Sequence, residues 1–220
     1  MTENSKQVSA AILISGSGTN LQAFIDATRD GSLDLNIAVV VSNRPDAYGL
    51  VRARDAGIAT ECVRNEDYPD RAAFDEALAE TLAKYEPGLL ILAGFMRILT
   101  GQFVKRFEGK ILNIHPALLP KFPGLNTHQR VIEAGETMHG STVHFVTAEL
   151  DAGPRILQGR VPILAGDTAS RLSARVQAVE HKIYPQAAAL FASGRLEFKD
   201  GKSWLDGARL DEPVQYAGEL

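Results

Sequence analysis

Short unbroken apolar runs alternate along this chain with segments whose apolar residues recur every three or four positions. The runs are residues 10–14, 37–42, 89–92 and, broken only by Asn113 and His115, 111–115, with 60–63 a short further strand. Their near-continuous apolar character predicts strands buried on both faces, not strands with one wet side. Residues 21–28 set Leu21, Phe24 and Ile25 on one side of a helix, and residues 48–56 predict a second helix stopped by Gly57. Asp70 is placed to cap a third, which carries Phe74, Ala77, Leu78 and Leu82 and is expected to end at Pro87-Gly88. Residues 100–107 predict a fourth. Strand and helix in alternation predict an α/β fold: a mostly parallel, twisted, Rossmann-like sheet flanked by helices, with right-handed crossovers.

The second half changes character. Pro116, Pro120, Pro123 and Gly124 predict an ordered, irregular loop over 116–127, with Leu119-Pro120 a candidate cis bond. A short helix over 128–134 is expected to end at Gly135. Residues 141–146 alternate, 149–153 read as a turn and 155–161 return, which predicts antiparallel strands added at the sheet edge. Asp167 is expected to cap a long helix carrying Leu172, Val176, Val179 and Ile183 and kinked near Pro185. This gives a flexible N-terminal arm over 1–9 and a single domain over 10–220. The end of that domain, 199–220, is a polar tail pinned by Trp204.

Charge and composition narrow the function. A formal net charge of −4 leaves no basic excess to neutralise phosphates, which argues against a general nucleic-acid binder. The longest apolar run, 89–96, is far short of the roughly 20 residues that span a bilayer. The polar start has no signal-peptide core. The single Cys62 cannot form an internal disulfide and fits a reducing compartment, so a cytoplasmic protein without membrane partners is expected. Nothing in the sequence marks Cys62 as an activated nucleophile.

Three places carry candidate chemistry. Asn113 and His115 are two apart on an apolar strand, so both point to one face just before Pro116 stops it. They read as a core histidine with a satisfied bond, or as a general acid beside an amide donor, an arrangement that stabilises an oxyanion growing on a carbonyl carbon. Asp151 lies in the Glu149-Leu-Asp-Ala-Gly turn, where it is a cap or, if the added strands lie beside 111–115, a carboxylate partner for His115. The third is the glycine-rich 15–20 loop. It presents backbone N–H groups at a helix start, as a simple tight turn or as a cradle for phosphate. It lacks the third glycine of a dinucleotide fingerprint and the Lys of a triphosphate loop. His128, His139, His144 and His181 have no metal-ligand spacing, so no metal is expected.

Taken together, 14–22, 41–43, 92–99, 111–120, Pro123-Gly124 and 141–153, with Arg175, Gln177, Glu180 and His181, resemble the phosphoribosylglycinamide formyltransferase family. The Asn-Ile-His-Pro-x-Leu-Leu-Pro stretch and the Glu-Leu-Asp-x-Gly turn are shared by enzymes that use formyl folates. The resemblance implies a formyltransferase fold. It divides the domain into a phosphate and ribonucleotide half over 10–110 and a catalytic and folate half over 111–198. It also implies transfer of a formyl group from 10-formyltetrahydrofolate to the primary amine of glycinamide ribonucleotide, in purine synthesis. Asn113, His115 and Asp151 match the family's catalytic trio.

By the same resemblance, Gly18, Thr19 and Asn20 hold the substrate phosphate, while Gln177 and Glu180 contact the ribonucleotide. Met96, Arg97, Ile98 and Leu99 line the pterin site with Asn113, and Thr147, Ala148, Glu149, Leu150 and Asp151 close its other side. Arg71 meets the folate's glutamate tail. A homodimer is a family-level expectation. The rivals are a tRNA-directed formyltransferase, which needs an added C-terminal domain, a formyl-folate hydrolase, which needs an added N-terminal one, and a non-catalytic binding module on the same scaffold. The short flanks and the retained trio favour the ribonucleotide enzyme.

Overall fold

The computed structural model describes residues 7–217, so the first six residues of the arm expected over 1–9 and the tail's last three residues lie outside the described part, while Ser9 already belongs to the first strand. Its first half alternates as the apolar pattern predicts. β1 (Ser9–Ile14), β2 (Asn36–Ser42), β3 (Thr60–Cys62), β4 (Leu89–Leu92) and β5 (Ile111–His115) are separated by α1 (Thr19–Asp30), α2 (Tyr48–Asp55), α3 (Arg71–Ala83) and α4 (Gly101–Arg106). Then come α5 (Thr127–Glu133), β6 (Met138–Phe145), β7 (Arg155–Pro162) and α6 (Ala169–Ala192), the last running through Pro185.

The main sheet has the order β11-β7-β6-β5-β4-β1-β2-β3, where β11 is Val214–Gln215. β1 to β5 pair in parallel, β6 runs antiparallel to β5, and β7 antiparallel to β6. The expected antiparallel addition is therefore present, and β11 extends it in parallel with β7. Along β1, Ala10, Ile12 and Ile14 join a core shared with α1, α2 and α6, while Ala11 and Leu13 join another under α3 and α4. Both faces of the sheet are covered, which is why its strands read as solid apolar runs.

Local chemistry sets the helix ends. Asp70 accepts from the Ala73 N–H at 2.8 Å, the cap expected of it. α3 stops at Ala83, four residues before Pro87, with Glu86 at a φ of 45°. The cap of α6 is Thr168, not Asp167. The Asp167 carboxylate instead accepts from the Leu164 N–H and pairs with Arg175, which draws it away from the helix start. β6 begins at Met138, three residues earlier than expected, because it pairs with the far end of β7. Leu119-Pro120 is cis.

The tail is more ordered than its polarity suggests. β8 (Leu196–Lys199), β9 (Lys202–Leu205) and β10 (Ala208–Arg209) form a small antiparallel sheet. Phe198 and Leu205 pack on the main core, with Phe198 edge-on to Phe145 at 5.3 Å. Trp204 is not the pin: half-buried, it joins none of the apolar clusters, and its Nε1 donates to the Lys199 carbonyl. No helix among the described residues is long and apolar enough to cross a membrane.

Candidate active site

β5 is central in the sheet, and its side chains divide by the two-residue period. Leu112 and Ile114 enter the core beneath α6, while Ile111 enters the one beneath α3 and α4, so Asn113 and His115 share Ile111's face. The register with β6 puts His144 opposite Asn113 and Thr142 opposite His115. Cross-strand partners on one face touch, which assembles four polar side chains at the end of two strands.

His144 is the member that sequence reasoning passed over. It is fully buried, and burial pushes its pKa down to about 4, with the nearby Asp151 charge opposing that shift. Its Nδ1 lies 2.8 Å from the Phe145 carbonyl, which can only accept, so Nδ1 carries the proton. Nε2 is then an acceptor and takes an N–H from Asn113 Nδ2 at 3.1 Å. This fixes which way the Asn113 amide faces and leaves its second N–H for another oxygen. The only signal was the register itself, since Asn113 and His144 are 31 residues apart.

His115 is buried between two acceptors. Nε2 donates to the Phe122 carbonyl at 2.9 Å, and Nδ1 lies 3.4 Å from Asp151 Oδ2. A ring facing acceptors at both nitrogens is fully satisfied only when it carries two N–H groups. Asp151 has a φ of 53° and also accepts from the Gly124 N–H at 2.8 Å, so the 116–126 loop and the 146–154 turn meet over the histidine. Gly153 anchors that turn, because a Cβ there would lie 1.8 Å from the Phe145 carbonyl oxygen. Thr142 ties down the other loop: its hydroxyl donates to the Ala117 carbonyl at 2.7 Å and accepts from the Leu119 N–H at 3.1 Å.

The glycine loop and α6 converge on the same end of the sheet. Gly18, at a φ of 69°, starts α1. Gln177 Nε2 donates to Thr19 Oγ1 at 2.9 Å, and Asn20 Nδ2 donates to Glu180 Oε2 at 3.0 Å. Asn20 Oδ1 is buried without a partner. Ser141 Oγ lies 3.0 Å from Glu180 Oε1 and 2.8 Å from the His115 carbonyl, so its one proton serves either acceptor and joins this polar cluster to β5. The close approach that a third glycine would have supplied comes from Gly49 on α2, whose N–H donates to the Gly16 carbonyl at 3.0 Å.

The remaining expected residues form an open shelf on the other side of β5. Met96, Ile98 and Leu150 are exposed, while Leu99 turns into the core. The Arg97 guanidinium lies over the Phe74 ring at 5.7 Å, one turn along α3 from the exposed Arg71. Thr147 donates to the Glu149 carbonyl at 3.3 Å, and Ala148 sits against Gly101 at the start of α4. Cys62 is free, and burial pushes its thiol up, away from a reactive thiolate. Among the described residues no three His, Cys, Asp or Glu side chains are grouped to hold a metal ion.

Comparison with known proteins identifies the family. Residues 8–188 match the family model described as formyl transferase. The chain is 50% identical over 208 residues to the phosphoribosylglycinamide formyltransferase of Escherichia coli strain K12, which covers 94% of this chain and 98% of that one. It is 47% identical over 198 residues to the human trifunctional purine biosynthetic protein adenosine-3, covering 90% of this chain and 20% of that longer one. Among solved structures, the phosphoribosylglycinamide formyltransferase of Coxiella burnetii matches with a TM-score of 0.92 and 48% identity, over 96% of this chain and all of that one. The chain belongs to the formyl transferase family and, within it, to the phosphoribosylglycinamide formyltransferases.

Proposed function

We propose that Asn113, His115 and Asp151 are the centre at which this formyltransferase moves a formyl group from 10-formyltetrahydrofolate to the primary amine of glycinamide ribonucleotide. The observation that carries the reading is the approach of Asp151 to His115 at 3.4 Å, beside an amide whose free N–H is oriented by His144.

The amine attacks the formyl carbon, and the carbonyl π electrons move onto oxygen. The second N–H of Asn113 donates to that oxyanion. His115 donates to it, or protonates the folate nitrogen as the carbon–nitrogen bond breaks. Asp151 holds the imidazolium and passes on the proton that the amine gives up. Each well-placed donor to such an oxyanion is worth about 3 kcal/mol, roughly a hundredfold in rate. Because His115 Nε2 donates to Phe122, the loop carbonyl must release it before it can serve substrate.

The substrate phosphate is assigned to the backbone N–H groups of Gly18, Thr19 and Asn20 at the start of α1. Gln177 and Glu180 take the rest of the ribonucleotide. The pterin lies on the shelf of residues 96–99 and 147–151, where main-chain groups read its donors and acceptors while exposed apolar side chains cover its face. Arg71 takes the glutamate tail as a cation facing a carboxylate. Cytoplasm is the assigned compartment, and small molecules, not nucleic acid or membrane, are the partners. A homodimer is the expectation that the family resemblance supports, and sedimentation at several concentrations tests it.

The deciding assay incubates purified protein with both substrates and follows folate absorbance. Turnover that requires the ribonucleotide is the expected result. Formate release without ribonucleotide would make the protein a hydrolase, and no turnover at high enzyme concentration would make it a binding module.

A further inference from the structure

The glycine loop and the pterin shelf are joined by one buried hydroxyl that the catalytic scheme does not use. Ser15 ends the apolar run of β1 and is the residue from which the glycine loop departs. Its Oγ accepts the Met96 N–H at 2.7 Å and donates to Asn43 Oδ1 at 2.5 Å. With its oxygen so engaged, the Asn43 amide presents Nδ2 to Asn65 Oδ1, at 2.8 Å. Ser15 and Asn43 are each 6% exposed, so water does not replace these bonds when they break. Asn65 opens a 3-10 turn, Asn65–Asp67, which precedes Asp70, the cap of α3, and Arg71, its first residue.

We propose that Ser15 and Asn43 couple the two substrate sites, so that occupancy of one tightens binding at the other. The inference rests on the assignment of the phosphate to the glycine loop and of the folate to the 96–99 segment. That segment has no regular secondary structure, and its Met96 N–H is held by Ser15, across 81 residues of chain. Each ligand restrains the segment that it contacts. With the two segments tied by a buried bond, the second ligand meets a partner already partly ordered, which produces positive coupling without a large conformational change. Ser15 and Asn43 are positioning residues, since neither is assigned a contact with the reacting carbon.

The test is calorimetric titration of glycinamide ribonucleotide into the full-length protein, with and without saturating tetrahydrofolate, a pair that cannot react. The wild type is expected to bind the ribonucleotide about fivefold more tightly when the folate is present, the size of one net buried hydrogen bond. In Ser15→Ala each ligand still binds alone, and the ratio falls towards one. Asn65→Ala, at the less buried end of the same chain of bonds, lowers the ratio as well and keeps the question open to measurement if Ser15→Ala does not fold. A wild-type ratio of one, or an unchanged ratio in the folded variants, overturns the proposal while leaving the functional reading intact. A wild type that binds neither ligand overturns the functional reading and the proposal together. A purely structural role for Ser15 would lower stability without changing the ratio.

Discussion

Asn113 and His144 face each other across the β5–β6 pair, and the bond between them runs in one direction only. The Phe145 carbonyl fixes the proton on His144 Nδ1, so the ring can only accept from the amide. His144→Ala removes that acceptor and frees the amide to rotate. Turnover is expected to fall by about ten- to a hundredfold, since one oriented oxyanion donor is at stake. Ribonucleotide affinity should change little. Steady-state kinetics and calorimetry on the same preparation check this, and an equal loss in both would point to general disruption.

His115→Ala should lower kcat by at least about a hundredfold, with tetrahydrofolate affinity kept within a few-fold. Near-normal turnover would remove His115 from the mechanism. Asp151→Asn is a finer probe. The amide can still accept the Gly124 N–H, yet it brings no negative charge to His115 Nδ1. Turnover is expected to drop at least about tenfold in steady-state kinetics, and wild-type turnover would remove the Asp151 charge from the mechanism.

Gly153→Ala tests the turn that carries Asp151. A methyl there would lie 1.8 Å from the Phe145 carbonyl oxygen and 3.3 Å from His144 Nδ1, so the backbone has to shift. A loss of about 1–3 kcal/mol is expected from such overpacking, together with reduced turnover. Thermal unfolding and activity measured side by side would show whether the two fall together.

Tyr184→Phe probes the floor of the site. The buried Tyr184 hydroxyl lies 3.0 Å from the Leu92 carbonyl and 2.9 Å from that of Leu112, the residue before Asn113. The hydroxyl's one proton serves either carbonyl, so the variant removes a single buried donor from a dry interior, at an expected cost of about 1–3 kcal/mol. Denaturant titration measures it, and an unchanged midpoint would show that the bond contributes nothing net.

Acid should destabilise the fold through two buried histidines. His139 and His144 both have pKa values lowered from the ordinary 6.5 to about 4, chiefly by burial. The unfolded chain takes up protons at these residues as pH drops below 6.5, and the folded chain does not. Their contribution is therefore complete above the unfolded value and is lost as pH falls towards about 4, with each histidine contributing at most roughly 3 kcal/mol. His139 also bonds to His128 at 2.9 Å, an arrangement that cannot keep a proton on both facing nitrogens. The urea midpoint is expected to fall between pH 7 and pH 4.5. His139→Gln should flatten that dependence, and an equally steep curve in the variant would clear His139 of the effect.

The residues themselves announced much of this fold. The β1 and β4 runs are solid because both sheet faces are covered, and Asn113 and His115 stand out because their strand is otherwise apolar. Long-range pairing was not legible. His144 looked like an idle histidine until the β6 register set it against Asn113, and Gly49 had no visible link to a glycine loop 31 residues earlier (49 − 18). Asp167 and Thr168 both carry a capping oxygen. Only the position of Arg175, eight residues along the chain, decides between them. Trp204 misled because size suggests an anchor, whereas the smaller Phe198 and Leu205 face the core.

Gly18 and Gly49 touch main chain to main chain: a Cβ on the first would lie 2.7 Å from the other's Cα, and a Cβ on the second 2.4 Å from Ile14 Cδ1. Neither position therefore offers room for trial and error, and the proposed anion cradle cannot be reshaped by changing one of them at a time. On the proposed assignment, retargeting the protein to a different nucleotide would have to begin at Gln177, whose side chain and not its main chain meets Thr19.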